Sequence, residues 1–301
     1  YVLFFGYDFT DKVRFRSEFE LEHGLVKDTA DGSNGGEVEL EQMYIEWDVT
    51  DQTSLKTGVI LVPVGILNEN HEPPTFYGVE RNEVEKYLLP TTWWSAGVEV
   101  VHKMKNGLTF EAMISEGMKG TTAMYIRDGR QKSANATAND LAYTARVTYT
   151  GLRGLKASVF YNHQADFTQV SSDNIDKLDL YGASAIYNWG DGFEVRALHV
   201  QAEFDGKDES GADFAAGFDE QQGTFLELSK RTGNLGFFVN NSVVSGESVS
   251  RQYTVVQYGI NWWYPGSNAV LKANWYDKSY PNPSKASSEK DGIHLGVGYE
   301  F

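Results

Sequence analysis

The sequence has no cysteine among its 301 residues, which excludes disulfide bonds and thiolate metal sites. It also lacks any run near the roughly 20 apolar residues that a membrane-spanning helix needs, which excludes a helical membrane protein. Basic residues are few, because 26 Lys and Arg face 42 Asp and Glu and the net charge is −16. Nucleic-acid binding depends on Lys and Arg that neutralise phosphates, so no nucleic-acid partner is expected.

Motifs of the common enzymes are also missing. The six histidines form no His-Glu-x-x-His pair, and the chain has neither a Gly-x-Ser-x-Gly elbow nor a phosphate loop ending in Gly-Lys-Ser/Thr. We therefore predict no catalytic residue, no cofactor and no metal site. The acidic segment 205–220 lacks the spacing of a calcium loop and is interpreted as a solvated loop. A hydrolase embedded in a membrane stays open as an alternative, because its Ser/His pair need not be close in sequence.

Aromatic residues, by contrast, are abundant, with 17 Tyr, 17 Phe and 7 Trp. They take part in an alternation of apolar and polar residues with a period of two, in segments of about ten residues. In one such segment Val256, Tyr258 and Ile260 alternate with Gln257 and Gly259. This period is typical of β-strands with two different faces, and it predicts an all-β protein.

The connections between these segments alternate between short and mostly long ones. Turns such as 105–107 and 190–192 are short, whereas 66–91 and 116–139 are long. This is the layout of an outer-membrane barrel. We predict one domain, 1–301, forming a transmembrane antiparallel β-barrel with about 15 visible strands and about 16 in the intact protein. The sixteenth strand is expected before Tyr1.

A soluble β-sandwich or lipocalin-like barrel is the alternative fold. Two features weigh against it. Aromatic residues cluster at strand ends, as at Trp93-Trp94 and Trp262-Trp263, which suits the girdles at a membrane interface. The face opposite the apolar one is rich in charge, which suits a water-filled lumen.

The C-terminal strand carries a more specific signal. Ile293, Leu295 and Val297 alternate with polar or small residues, and the pattern ends on Tyr299 and Phe301. This ending resembles the terminal aromatic signature read by the outer-membrane assembly machinery, so Tyr299 and Phe301 are the predicted assembly signal. The expected location is the bacterial outer membrane, with the lipid bilayer and lipopolysaccharide as neighbours. An ordinary edge strand at the end of a chain is the alternative.

The long connection 66–91 is the predicted constriction of the channel. Loops of this length inside a compact barrel are often functional, and its prolines would stiffen it. A solvated surface loop is the alternative. Its candidate pore residues are Glu69, His71, Glu72, Glu80, Arg81, Glu83, Glu85 and Lys86.

Alternation also places charged residues on the lumen wall. Ion pairs between neighbouring strands are the alternative role for most of them. The principal candidates are Arg14, Arg16, Glu18, Glu20, Arg146, Lys156, Arg196, Arg251 and Lys272. Further carboxylates assigned to this face are Glu39, Glu41, Glu46, Glu99, Glu111, Glu194 and Glu227.

One region carries a signal beyond the alternation of apolar and polar residues. The segment 58–65 leads into 68–82 and then 88–94, and this order resembles the strand and long loop of the phosphate-selective porin O/P-like family. The hairpin formed by 7–11 and 14–20 is similar to that family's early hairpin. The resemblance is best over about 1–100. It implies a sixteen-stranded barrel, a homotrimer and a constricting loop folded into the lumen.

The net charge of the chain does not suit phosphate, the substrate in that family's name. An anion-selective pore favours a basic lumen, whereas this chain is acidic and has no dense ladder of Arg and Lys. We therefore predict a weakly selective diffusion porin for small hydrophilic solutes and ions. A phosphate- or anion-selective porin is one alternative, and it would require local clustering of Arg14, Arg16 and Arg146. A barrel scaffold that holds a partner protein is another.

Overall fold

The computed structural model describes residues 2–21, 38–120, 126–169, 177–205, 219–246, 252–288 and 290–299. These residues contain fifteen strands in one antiparallel sheet, in which each strand pairs with the next along the chain. The prediction of an all-β barrel with about fifteen visible strands is confirmed. No pair of packed sheets occurs in the described part of the chain, so the β-sandwich alternative is wrong.

The strands are β1 Val2–Asp8, β2 Val13–Leu21, β3 Val38–Asp48, β4 Thr53–Leu61, β5 Trp94–Lys103, β6 Leu108–Ser115, β7 Ala142–Tyr149, β8 Leu155–Gln164, β9 Lys177–Gly190, β10 Phe193–Asp205, β11 Glu220–Thr232, β12 Leu235–Gly246, β13 Tyr253–Trp263, β14 Val270–Ser279 and β15 Lys290–Gly298. The short helix α1 spans Glu83–Tyr87, and 3₁₀ turns span Pro73–Thr75, Arg127–Gly129 and Pro283–Ser288. Among the described helices, none has both the length and the apolar character to cross a membrane.

The two faces of the sheet have opposite chemistry. On β12, Phe237 and Val239 are exposed, whereas Phe238 and Asn240 are buried against the interior. On β15, Ile293 is 70% exposed. Apolar residues that face outward over a whole sheet need a lipid environment, since soluble proteins rarely expose such surfaces. The period-two pattern of the sequence therefore indicates a wall whose outer face contacts lipid.

The interior is filled by the connection between β4 and β5, residues 62–93, which we call the β4–β5 loop. It is slightly longer than the predicted 66–91. Its apolar side chains, such as Val84 and Leu88, form one buried cluster with inward residues of the wall, such as Phe160 and Val200. The loop therefore completes an apolar core together with inward apolar residues of the wall, such as Leu198 and Phe204 on β10.

A β-bulge interrupts the pairing of β2 with β3. Glu18 faces Gln42 and the next residue, Phe19, faces Leu40, so Glu41 is an extra residue with no partner of its own. The Glu41 side chain is buried on the inner face at 3% exposure, the face to which the sequence assigned it, although strict alternation counted from Met43 would turn it outward. Bulges commonly re-aim a side chain in this way. The extra residue therefore adds a carboxylate to the interior.

Candidate functional site

The two ends of the β4–β5 loop are held together by Asn68. Its Nδ2 donates to the carbonyl oxygens of Val62 at 2.7 Å and Trp93 at 2.8 Å, and its Oδ1 accepts from the Trp93 amide at 2.7 Å. The side chain is 1% exposed, so these groups have no water to replace a lost partner. Asn68 therefore fixes the shape of the loop at its base.

A second internal support is Glu85, which the sequence placed at the constriction. Its Oε1 accepts the amides of Ile66 and Leu67, each at 2.6 Å, and its Oε2 accepts from Asn82 Nδ2 at 2.8 Å. Burial raises the pKa of Glu85 in spite of these bonds. A Cβ on Gly65 would lie 2.5 Å from Glu85 Oε1. Glu85 is therefore fully buried and supports the backbone of the loop.

We expect Asn68→Asp to open the loop locally while the barrel stays folded. The carboxylate has no donor for the carbonyls of Val62 and Trp93, and an unpaired buried carbonyl costs ~1–3 kcal/mol. Hydrogen exchange should therefore quicken across 62–93 and stay unchanged in β9–β12. Asn106→Asp is the matched control, because Asn106 Oδ1 only accepts from the Leu108 amide in an exposed turn. Unchanged exchange across 62–93 would contradict the role given to Asn68.

Charged groups of the wall hold the loop in place. Arg146 Nη1 lies 2.5 Å from Glu69 Oε2 and also binds Glu111 on the neighbouring strand. Burial would raise the pKa of Glu69, but Arg146 outweighs this and lowers it. On the far side of the loop, Lys278 Nζ lies 3.3 Å from Glu83 Oε2. Glu69 and Glu83 thus each have a basic partner on the wall, and Glu69 shares Arg146 with Glu111.

Wall residues also bind the backbone at the tip of the loop. Arg196 donates to the carbonyl of Thr75 at 2.9 Å, and Lys272 Nζ donates to the carbonyls of Phe76 at 2.7 Å and Gly78 at 2.8 Å. A third bond runs from the amide of Val79 to Asn274 Oδ1 at 2.9 Å. Two of the predicted lumen residues, Arg196 and Lys272, therefore serve to position the loop.

The remaining wall candidates have varied surroundings. Arg14 lies 2.6 Å from Asp48 and 3.2 Å from Glu46, and Arg16 lies 2.8 Å from Asp8. Lys156 is exposed on the inner face of β8. Arg251 and Phe301 lie outside the described residues, and Tyr299 is half exposed. The arginines Arg14, Arg16 and Arg146 each face a carboxylate, so the local cluster that an anion-selective pore would require does not form among these three.

A cavity of about 430 Å³ lies between the loop and the two edges of the sheet, β1 and β15. Five of the eight predicted pore residues line it, and the other three, Glu69, Glu83 and Glu85, have the contacts described above. The lining residues that carry charge or an imidazole are Glu20, His71, Glu72, Glu80, Arg81, Lys86 and Arg127. The cavity therefore brings groups of both signs to one opening.

Two lining residues on the basic side of this cavity, Arg81 and Arg127, belong to an arginine cluster that Arg130 completes behind the lining. Arg81 and Arg127 donate to the carbonyl of Thr91 at 2.9 and 3.3 Å, and Arg130 donates to that of Thr92 at 2.5 Å. Burial, together with the charge of Arg127, lowers the pKa of Arg130 to about 10. Within the described ranges, neither Arg81 nor Arg130 has a carboxylate at ion-pair distance.

Sequence reasoning did not find Arg127 and Arg130. Both come from the long connection between β6 and β7, where Arg127 begins the turn Arg127–Gly129 and Arg130 follows it, and they meet Arg81 only through the fold. The available signal was two arginines three residues apart in a long, glycine-containing loop.

The opposite side is acidic and centres on His71. Its Nε2 lies 2.9 Å from Glu41 Oε2, 3.4 Å from Glu18 Oε1 and 3.6 Å from Glu72 Oε1. We call these four residues the His71 cluster. Burial alone would lower the pKa of His71, but Glu18 and Glu41 outweigh it and raise the pKa to about 10. Burial raises the pKa of Glu72 to about 7, with Glu18 adding to the effect.

No family profile matches the chain. An uncharacterized protein of Aquifex aeolicus (strain VF5) is 35% identical over 153 residues, which are 49% of this chain and 34% of that protein. The match thus spans about a third of the length of this relative. The resemblance to the phosphate-selective porin family therefore stays a prediction.

Solved structures resemble nearly the whole chain. A loop L8 deletion mutant of OmpT from Vibrio cholerae has a TM-score of 0.63 at 10% identity, covering 99% of this chain and 89% of its own. An anion-selective porin from Comamonas acidovorans has a TM-score of 0.65 at 12% identity, covering 98% and 87%. The outer-membrane channel DcaP of Acinetobacter baumannii has a TM-score of 0.63 at 12% identity, covering 100% and 84%. The chain has the β-barrel fold of bacterial outer-membrane porins.

Proposed function

We propose that this protein is a porin of the bacterial outer membrane, which lets small hydrophilic solutes and ions pass by diffusion. The observation that carries the proposal is the β4–β5 loop, which lies inside a lipid-facing wall and brings charged residues of both signs against its inner face. A narrow aqueous gap lined by charge is the usual basis of selectivity in channels. The lipid-facing apolar wall supports a location among membrane lipid and lipopolysaccharide.

The β4–β5 loop is the proposed constriction. Its bonds to Arg146 on β7, Arg196 on β10 and Lys272 on β14 support this role, because they tie the loop to well-separated parts of the wall. A loop in this position also weighs against a scaffold whose lumen is filled by a partner protein, since the loop takes up that space.

Weak selectivity is the proposed behaviour, because the cavity offers both signs. The His71 cluster and Glu20 attract cations, whereas the arginine cluster attracts anions. Anion selectivity is the second candidate. The observation that favours it is the absence of a carboxylate partner for Arg81 and Arg130 among the described residues.

A homotrimer is part of the proposal. The Vibrio cholerae OmpT has been solved in a trimer form, with a TM-score of 0.60 to this chain at 10% identity. Native mass spectrometry in mild detergent should give the mass of three chains, and monomer alone would contradict this part.

Recordings in a planar bilayer with a potassium chloride gradient test the function. We expect discrete channel openings and a small reversal potential, because the two signs in the cavity oppose each other. A large reversal potential of the sign set by chloride would support the anion-selective candidate. Protein that is folded by its heat-dependent migration in gels, yet produces no more openings than detergent alone, would contradict the porin proposal.

A further inference from the structure

His71 occupies the junction between the β4–β5 loop and the wall, and its ring is fixed by one unambiguous bond. The Nδ1 atom lies 3.1 Å from the carbonyl oxygen of Asn68. A carbonyl can only accept, so Nδ1 must carry the hydrogen and donate it. This leaves Nε2 as the atom that faces the carboxylates of Glu18, Glu41 and Glu72.

The state of Nε2 decides what the cluster binds. In a neutral imidazole with Nδ1 protonated, Nε2 presents a lone pair, and a lone pair aimed at three carboxylate oxygens needs a cation between them. Metal-ligating histidines usually donate their other ring N–H to a carbonyl or carboxylate, which fixes the tautomer and aims the ligand atom. The bond from His71 Nδ1 to the carbonyl of Asn68 fixes the ring in this way and directs Nε2 toward the carboxylates.

The carboxylates supply a second, independent observation. Glu18 Oε1 and Glu41 Oε2 are buried atoms without a hydrogen-bond partner, on side chains that are 1% and 3% exposed. The other oxygen of Glu18 is satisfied by Gln42 Nε2 at 2.6 Å. Buried carboxylate oxygens are costly without a positive partner, and both of these atoms face His71 Nε2. The positive charge at this point is therefore either a protonated ring or a metal ion held between the ring and the carboxylates.

The spacing fits a single ion. Ligand atoms of Glu18, Glu41 and His71 all lie within 4.8 Å of one another. Two ligands on a tetrahedral zinc ion, with bonds of about 2.0–2.2 Å, are separated by roughly 3.3–3.6 Å. The distance from His71 Nε2 to Glu18 Oε1, 3.4 Å, lies in that range, whereas the 2.9 Å to Glu41 Oε2 is shorter and would lengthen when an ion binds.

We propose that His71, Glu18 and Glu41 bind a divalent transition-metal ion, with Glu72 as a fourth ligand. One imidazole with carboxylates suits zinc and neighbouring first-row metals, whereas calcium needs six to eight oxygens and no imidazole. The ion would join β2, β3 and the loop at one point and so hold the loop against the wall. The sequence predicted no metal site, because its dispersed histidines form no motif with metal-ligand spacing.

Zinc competition against a chromophoric chelator tests the site, using the full chain folded in detergent. We expect binding of one zinc ion per chain, weakened at least roughly tenfold by His71→Ala and by Glu41→Gln. His163→Ala is the matched control, because His163 also lies near a carboxylate, 2.8 Å from Asp179, but away from the cluster. An excess of calcium should leave zinc bound.

Heat-dependent gel migration establishes that each variant is folded, and Glu41→Gln keeps the shape of the side chain. Equal zinc binding by wild type, His71→Ala and Glu41→Gln would overturn the proposal, as would displacement of zinc by calcium. Absence of zinc binding by the wild type would also overturn it and leave the cluster as an imidazolium paired with carboxylates. The assay involves no transport, so its failure is distinct from a failure of the porin proposal.

Discussion

Replacing residues 66–91 by a short Gly-Ser turn is expected to raise the single-channel conductance severalfold. The β4–β5 loop packs against the inner face of the wall and contributes to the apolar core of the interior, so its removal replaces protein by water along the proposed ion path. The wall itself is held by ladders between consecutive strands and does not depend on loop bonds. Arg146 keeps its partner Glu111 on β6 after the loop is gone.

The control for this variant is a shortened connection between β14 and β15, across the turn Pro283–Ser288. It changes a loop of the same barrel without touching residues 62–93, and its conductance should stay near the wild-type value. Gel migration checks that both variants form a folded barrel. A loop variant that is folded and conducts like the wild type would show that the loop does not limit the current.

The double substitution Arg81→Gln and Arg130→Gln is expected to shift the reversal potential strongly toward cation preference. The arginine cluster would lose two positive charges, one of them in the cavity lining, while Glu20, Glu72 and Glu80 stay. At about 4–8 Å in water, each lost charge changes the energy of a passing ion by ~0.5–1 kcal/mol. Two such changes alter the energy of a passing ion by about 1–2 kcal/mol, with opposite signs for cations and anions, so each permeability changes by roughly 5- to 30-fold in opposite directions. Recordings at about 0.1 M salt keep screening moderate.

Arg14→Gln provides the matched comparison, because Arg14 also belongs to the inner wall but lies between Asp48 and Glu46. That substitution removes one positive charge from a pair of carboxylates outside the cavity lining and should move the reversal potential far less. If both variants gave the same shift, the net charge of the barrel would set the preference, and the arginine cluster would have no special role.

The strands could be predicted from the sequence because their signal is local. A residue such as Val239 faces lipid and its neighbour Asn240 faces the interior, so the two-residue period survives in any segment that crosses a membrane in this way. Turn residues mark where each segment ends. The strand count and the antiparallel order therefore follow without any knowledge of distant contacts.

The site was less accessible to sequence reasoning, because its charges acquire their roles from partners far along the chain. Glu69 and Glu83 read as free acids in a loop, yet Arg146 and Lys278 pair with them. Glu85 became a support for the loop backbone because the loop folds on itself. Arg130 meets Arg81 because two long loops approach each other in space. No pattern of period two carries such information.

The bulge at Glu41 has a consequence for how such a barrel can change. Gln42 points inward and Leu40 outward, just as they would if Glu41 were deleted and the strand were regular. Gain or loss of this one residue thus leaves every other side chain of β3 on its own face. Insertion or deletion of a single codon could therefore add or remove an interior carboxylate without disturbing assembly of the wall. A point substitution elsewhere, by contrast, replaces a side chain that already packs or forms a bond in the wall.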